Sequence, residues 1–206
     1  IAAAMALAGL WQWRAHEKDD SAALARGLSA LDRDDVRTAR VELMNAIKGN
    51  PRSAIARAAQ ARALAELGDG AGAQAEVERA RSLGQAPDAT RAVMAQALFL
   101  QGDFAGALAE ARAADLPGDQ ALAAAHVVAR ATLALGDVRA AGRALEQALA
   151  MDARDSETWV EVGRLRMATG DQAGAIAAAD KAVALNAKSA PALGLRAELT
   201  RTQYGL

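Results

Sequence analysis

Gly68, Gly70 and Gly72 put three glycines within five residues, in the stretch ELGDGAGA. Glycines this dense are what a loop needs if its backbone N–H groups are to approach a phosphate closely. That chemistry also needs a strand before the glycines, a helix after them, and either the dinucleotide-fold spacing or a Gly-Lys-Ser/Thr ending. Here the preceding ARAAQARALAEL reads as helix, and neither pattern follows it. The cluster is therefore read as a turn, and no cofactor is expected. The two histidines, His16 and His126, have no second histidine and no cysteine near them in sequence, so a zinc site has no support. A serine–histidine–aspartate arrangement is not excluded by spacing alone, but the chain contains no nucleophile elbow. No catalytic residue, metal ligand or small-molecule substrate is assigned, and the chain is expected not to be an enzyme.

The elements that would carry any function are legible from composition. Hydrophobic residues make up 52% of the 206, yet aromatics only 3%, and alanine dominates. Alanine has the highest helix propensity and lets helices approach closely, so the expectation is many closely packed helices and no sheet. The 24 basic and 25 acidic residues leave a net charge of −1, without the basic excess that marks nucleic-acid binders. There is no cysteine, which excludes disulfides and thiolate chemistry.

The pair Gly68-Asp69 recurs as Gly102-Asp103, Gly136-Asp137 and Gly170-Asp171, 34 residues apart each time, and one further step upstream falls on Asp34-Asp35. Cutting on this period gives five repeats, 20–53, 54–87, 88–121, 122–155 and 156–189. Their twentieth residue is always alanine (Ala39, Ala73, Ala107, Ala141, Ala175), and so is the twenty-seventh (Ala46, Ala80, Ala114, Ala148, Ala182). The eighth is always small: Gly27, Ala61, Ala95, Ala129 and Gly163. At roughly three alanines in ten residues, ten in a row would arise by chance only a few times per million, so the period marks a repeat architecture. Glycine after a first helix suits its left-handed end, and aspartate beside it suits the start of a second.

The fifth repeat, SETWVEVGRLRMATGDQAGAIAAADKAVALNAKS, resembles the tetratricopeptide repeat family. Trp159, Val162, Gly163, Gly170, Asp171, Ala175 and Ala182 fall where that family places its Trp, Leu, Gly, turn Gly-Asp and two small residues, and Pro51 matches its closing proline in the first repeat. The other repeats lack that proline and the tryptophan. The resemblance implies an all-α fold, a right-handed superhelical array of antiparallel helix pairs. It also implies a concave groove lined by the first helix of each repeat, through positions such as 5, 9 and 12. Position 9 reads Leu28, Arg62, Gln96, Arg130 and Arg164; position 12 reads Leu31, Ala65, Phe99, Leu133 and Met167; position 5 includes His126. The candidate binding surface is thus Arg62, Gln96, Phe99, His126, Arg130, Leu133, Arg164 and Met167. A cationic row beside an apolar row suits a protein or peptide partner with acidic residues. The alternative is that these arginines are solvated or pair with acids such as Glu66 and Glu161. The clamp by which some family members grip acidic chaperone C-termini is absent, since Leu24, Leu28 and Ala59 occupy its positions.

The N-terminal stretch IAAAMALAGLWQWRAHEK ends an apolar run in Trp11 and Trp13, followed by Arg14, His16 and Lys18. Aromatic rings followed by charge suit the exit of a membrane span, although 13 residues fall short of the about 20 that a spanning helix requires. Residues 1–19 are expected to be the end of an anchor whose start lies upstream, and 190–206 the first helix of a sixth repeat. The stretch ARVELMNAIKGNPRSAIARAAQARALAELGD also resembles, less specifically, repeats of bacterial proteins that accompany exopolysaccharide and exosortase systems. The expected function is a non-catalytic interaction scaffold, tethered to the bacterial inner membrane with its repeats facing the periplasm. Two alternatives are the helper region of a larger enzyme, such as a glycosyltransferase, and a self-association module.

Overall fold

The computed structural model describes residues 21–112, 116 and 118–204, and every regular element among them is helical. Residues 21–31 form α1. It is followed by α2 (Val36–Gly49), α3 (Ala54–Glu66), α4 (Gly70–Ser82), α5 (Arg91–Leu100) and α6 (Phe104–Ala111). Then come α7 (Gly118–Ala134), α8 (Val138–Met151), α9 (Ser156–Ala168), α10 (Gln172–Leu185) and α11 (Ala190–Tyr204). No helix among the described residues is long and apolar enough to cross a membrane. The expected anchor, residues 1–19, lies outside the described residues.

The recurring turns show why the period is strict. Gly68, Gly102, Gly136 and Gly170 have φ of +84°, +81°, +81° and +79°, a region open to glycine at no steric cost. The first repeat has Asp34 there, at φ +58°, a conformation that aspartate tolerates better than most side chains. The next residue serves both flanking helices. Its N–H closes the finished helix: Asp69 donates to the Leu64 carbonyl at 2.9 Å, Asp137 to Thr132 at 2.8 Å and Asp171 to Arg166 at 2.9 Å. Its carboxylate opens the next: Asp69, Asp137 and Asp171 accept from the N–H of Gly72, Ala140 and Gly174 at 2.8, 2.9 and 2.8 Å. Such a cap stabilises a helix by about 1 kcal/mol.

The small positions lie where helices touch. Ala39, Ala73, Ala107, Ala141 and Ala175 expose no surface, and Ala46, Ala80, Ala148 and Ala182 at most 2%; Ala114 lies outside the described residues. At Gly163 a Cβ would come within 2.6 Å of Leu195 Cδ2, so that leucine seats directly over bare backbone.

The chain divides into two compact units, with the boundary between Gly102 and Asp103. In the N-terminal half, Ala30, Leu31, Ala39, Leu43, Ala59 and Ala63 join α1, α2 and α3, and Ala61, Val77 and Met94 join α3, α4 and α5. In the C-terminal half, Ala129, Ala144, Leu145, Val162 and Ala178 join α7 to α10. Val160, Ala175, Ala179, Ala182, Ala192, Leu195 and Leu199 do the same for α9 to α11. Each cluster draws on neighbouring repeats, as expected when one repeat cannot bury its own apolar face.

The third repeat departs from the simple cut. A 3-10 turn over Pro87–Ala89 precedes α5, so this first helix starts at Arg91 and not at 88. Thr90 leaves helical geometry at φ −133°, and its hydroxyl is tied to Pro87 O at 3.1 Å. Helix α7 starts at Gly118, ahead of the expected repeat boundary at 122.

Candidate functional site

Each half carries part of the candidate surface on the first helices of its repeats. In the N-terminal half, Arg62 stands on α3, exposed, and its Nε donates to Glu66 Oε1 one turn along at 2.8 Å. Gln96 and Phe99 lie half-buried on α5.

In the C-terminal half the structure brings three of the candidates together. His126 and Arg130 project from α7 towards the start and middle of α9, where Arg164 stands. Between the two arginines lies Glu161, only 3% exposed. Its Oε1 accepts from Arg164 Nη1 at 2.8 Å and lies 3.8 Å from Arg130 Nε. Arg130 also donates from Nε to the His126 carbonyl at 3.4 Å. Leu133 and Met167 are half-buried, and Met167 packs against the α9–α11 cluster.

His126 is itself buried, at 3% exposure. Its Nε2 lies 2.8 Å from Thr158 Oγ1 and 3.3 Å from Asp155 Oδ2. The Thr158 hydroxyl donates to Asp155 Oδ2 at 2.7 Å, so it accepts from His126, and Nε2 carries the hydrogen. Asp155 also caps α9, taking the Thr158 N–H at 2.6 Å. Glu157 Oε1 is 3.8 Å from Nδ1 on the other side of the ring. The sequence reading missed Asp155, Thr158 and Glu157. The spacing of Asp155 ahead of Thr158 is a capping signal, but nothing in the sequence points from there back to His126.

Two carboxylates here depart from ordinary behaviour in opposite directions. Burial pushes Asp155 up, but hydrogen bonds from His126 and from the Thr158 side chain and backbone, with the charge of His126, outweigh it and bring the pKa down to about 2. For Glu161 burial wins. It raises the carboxyl against the pull of Arg130 and Arg164, with Glu157 adding to the rise and His126 opposing it.

The His126–Thr158–Asp155 chain has the look of a relay, but Thr158 exposes no surface, so its hydroxyl is not placed to attack a substrate. What the arrangement does is fasten α7 to the N-terminus of α9, through the bond from His126 to a Thr158 hydroxyl that the Asp155 carboxylate holds in place. Trp159 adds to this region, donating from Nε1 to the Ala153 carbonyl at 2.9 Å and packing on both apolar clusters of the half.

Residues 24–90 and 129–190 match the family described as tetratricopeptide repeat. No curated protein matches the chain. Among solved structures, a thermophilic protein of this repeat type from Thermus thermophilus is similar over 90% of this chain and 99% of its own, with a TM-score of 0.70 and 19% identity. PilF of Pseudomonas aeruginosa is similar over 92% of this chain and 86% of its own, with a TM-score of 0.60 and 20% identity. PilW, described as a widely conserved type IV pilus biogenesis factor, is similar over 87% and 90%, with a TM-score of 0.61 and 17% identity. At these identities the likeness is one of fold.

Proposed function

Since the chain belongs to the tetratricopeptide repeat family, we propose that it is a non-catalytic scaffold that holds an acidic peptide or protein segment against the first helices of its repeats. The family fold itself supports a protein or peptide partner. The observation that carries the acidic character is the pairing, on one face of a helix, of an exposed guanidinium with an apolar side chain. On α9 these are Arg164, with 45% of its side chain exposed, and Met167, three residues on. Residues three apart share a helix face. An extended or helical segment with carboxylates on one side and apolar anchors on the other complements that face. Arg62, with 48% of its side chain exposed, offers a second cation in the N-terminal half.

The scaffold is proposed to work in a bacterial envelope assembly, tethered through residues 1–19 with its repeats in the periplasm. The order of apolar run, tryptophans and charge in that segment supports the tether. The description of PilW as a pilus biogenesis factor is an instance of this fold in such an assembly.

The test is direct binding. A fluorescein-labelled glutamate-rich peptide with interspersed leucines is titrated with the full chain and followed by fluorescence anisotropy. Replacing Arg62 and Arg164 together by alanine is expected to weaken binding about tenfold, with the helical circular dichroism unchanged. Binding of equal strength in the double variant would retire the acidic-partner reading.

A further inference from the structure

Arg164 is the exposed cation of this face, Arg130 stands largely buried behind it, and a carboxylate of the chain itself already sits between them. Glu161 is fixed to α9, is 3% exposed, accepts from Arg164 at 2.8 Å and faces Arg130 at 3.8 Å. A surface glutamate could swing away into water and yield the arginine to a partner. This one cannot without carrying a charge through the packed seam between α7 and α9, because a buried ionised carboxylate requires its paired cations.

We propose that Glu161 is an internal competitor for the arginines of this face, so that capture of an acidic partner strengthens as Glu161 takes up a proton. The inference rests on the function proposed above and adds its regulation.

The local charges support it. With Glu161 ionised, the carboxylates of Asp155, Glu157 and Glu161 outnumber the guanidiniums of Arg130 and Arg164, and that excess opposes an incoming carboxylate. One proton on Glu161 removes that excess. The charged groups that act on Glu161 are Arg130 and His126 from α7, and Arg164 and Glu157 from α9. Glu157 and Arg164 are the solvent-facing ones, with 52% and 45% of their side chains exposed. Burial already raises Glu161 above the ordinary glutamate value, so it takes up its proton at a higher pH than a solvated glutamate does. Once protonated, Glu161 no longer satisfies the guanidinium of Arg164 as an ion, and a partner carboxylate at the exposed end of that side chain becomes its best acceptor.

The experiment uses the full chain, its Glu161→Gln variant and the same labelled glutamate-rich peptide, between pH 7.5 and pH 5. Glutamine keeps the shape and removes the charge. The ratio of the two affinities at each pH cancels the titration of the peptide itself. The variant is expected to bind about fivefold tighter than the parent at pH 7.5, with the ratio falling as the pH is lowered. A ratio of one throughout, with both proteins binding, overturns the competitor role and leaves the acidic-partner reading standing. Absence of binding by either protein at any pH overturns both. Should the variant melt at a lower temperature and lose its helical signal, the parent decides the matter. Its Glu161 carboxyl, followed by carbon NMR, is expected to titrate in the same pH interval as the rise in peptide affinity. Titration outside that interval overturns the proposal.

Discussion

At the scale of single residues, the sharpest contrast is between Asp155 and Glu161, two carboxylates on neighbouring turns of one seam. Asp155 is held at about pKa 2 against an ordinary 3.8, so the folded state favours its ionised form. That contribution is fully present above the ordinary value and is lost as the pH falls through the folded one. After allowance for partial solvent screening, the expected loss is about 1–2 kcal/mol between pH 5 and pH 2. Urea titrations across that range are expected to give a shallower acid loss for Asp155→Asn, whose amide oxygen still caps α9. An equal loss in both proteins would remove Asp155 from the account. Glu161 has the opposite sign. Its raised pKa makes ionisation a cost to the fold, relieved as the pH falls. The sequence made part of this legible. Arg62 with Glu66 and Glu161 with Arg164 lie four and three residues apart, where helix geometry brings side chains together. The bond from His126 to Thr158 joins residues 32 apart, across two repeats. No local rule reports such a contact, and the burial of His126 behind it was hidden too.

At the scale of helices and turns, the sequence was most legible where backbone geometry admits few residue types. A left-handed turn wants glycine, a helix start wants an oxygen acceptor, and touching helices want alanine or glycine. These three demands produced the period. The third repeat was less legible, because Pro87 and Thr90 shift the start of α5 through their own local bonding, which a fixed period does not encode. The first repeat supplies the test of the turn argument. Asp34 does the work of glycine at φ +58°, where a side chain costs energy and glycine does not. Asp34→Gly is expected to stabilise the chain by about 0.5 kcal/mol, and Gly136→Ala, at φ +81°, to destabilise it by about 1 kcal/mol. Denaturant midpoints measure both. The same sign for the two changes would refute the account.

At the scale of the whole molecule, stability is a sum of repeats and of the seams between neighbours. Leu199 is fully buried in the cluster that joins α9, α10 and α11. Leu199→Ala is expected to cost about 2–5 kcal/mol there. Amide hydrogen exchange should rise along α9 to α11 and stay unchanged along α2 to α4. Uniform loss of protection over both halves would mean that the chain unfolds as one block and that the seams are not local. The turn at Asp69 carries a consequence for how the molecule ages. Asp69-Gly70 is the dipeptide most prone to isomerise, because the glycine nitrogen can attack the aspartate side chain and close a succinimide ring. Here the carboxylate is engaged with the Gly72 N–H at 2.8 Å. The attacking nitrogen donates to the Gly68 carbonyl at 3.1 Å, and Gly70 is packed against the Ala97 carbonyl. Ring closure therefore waits for the turn to open, and isoaspartate at position 69 becomes a chemical record of how often this part of the protein has come undone.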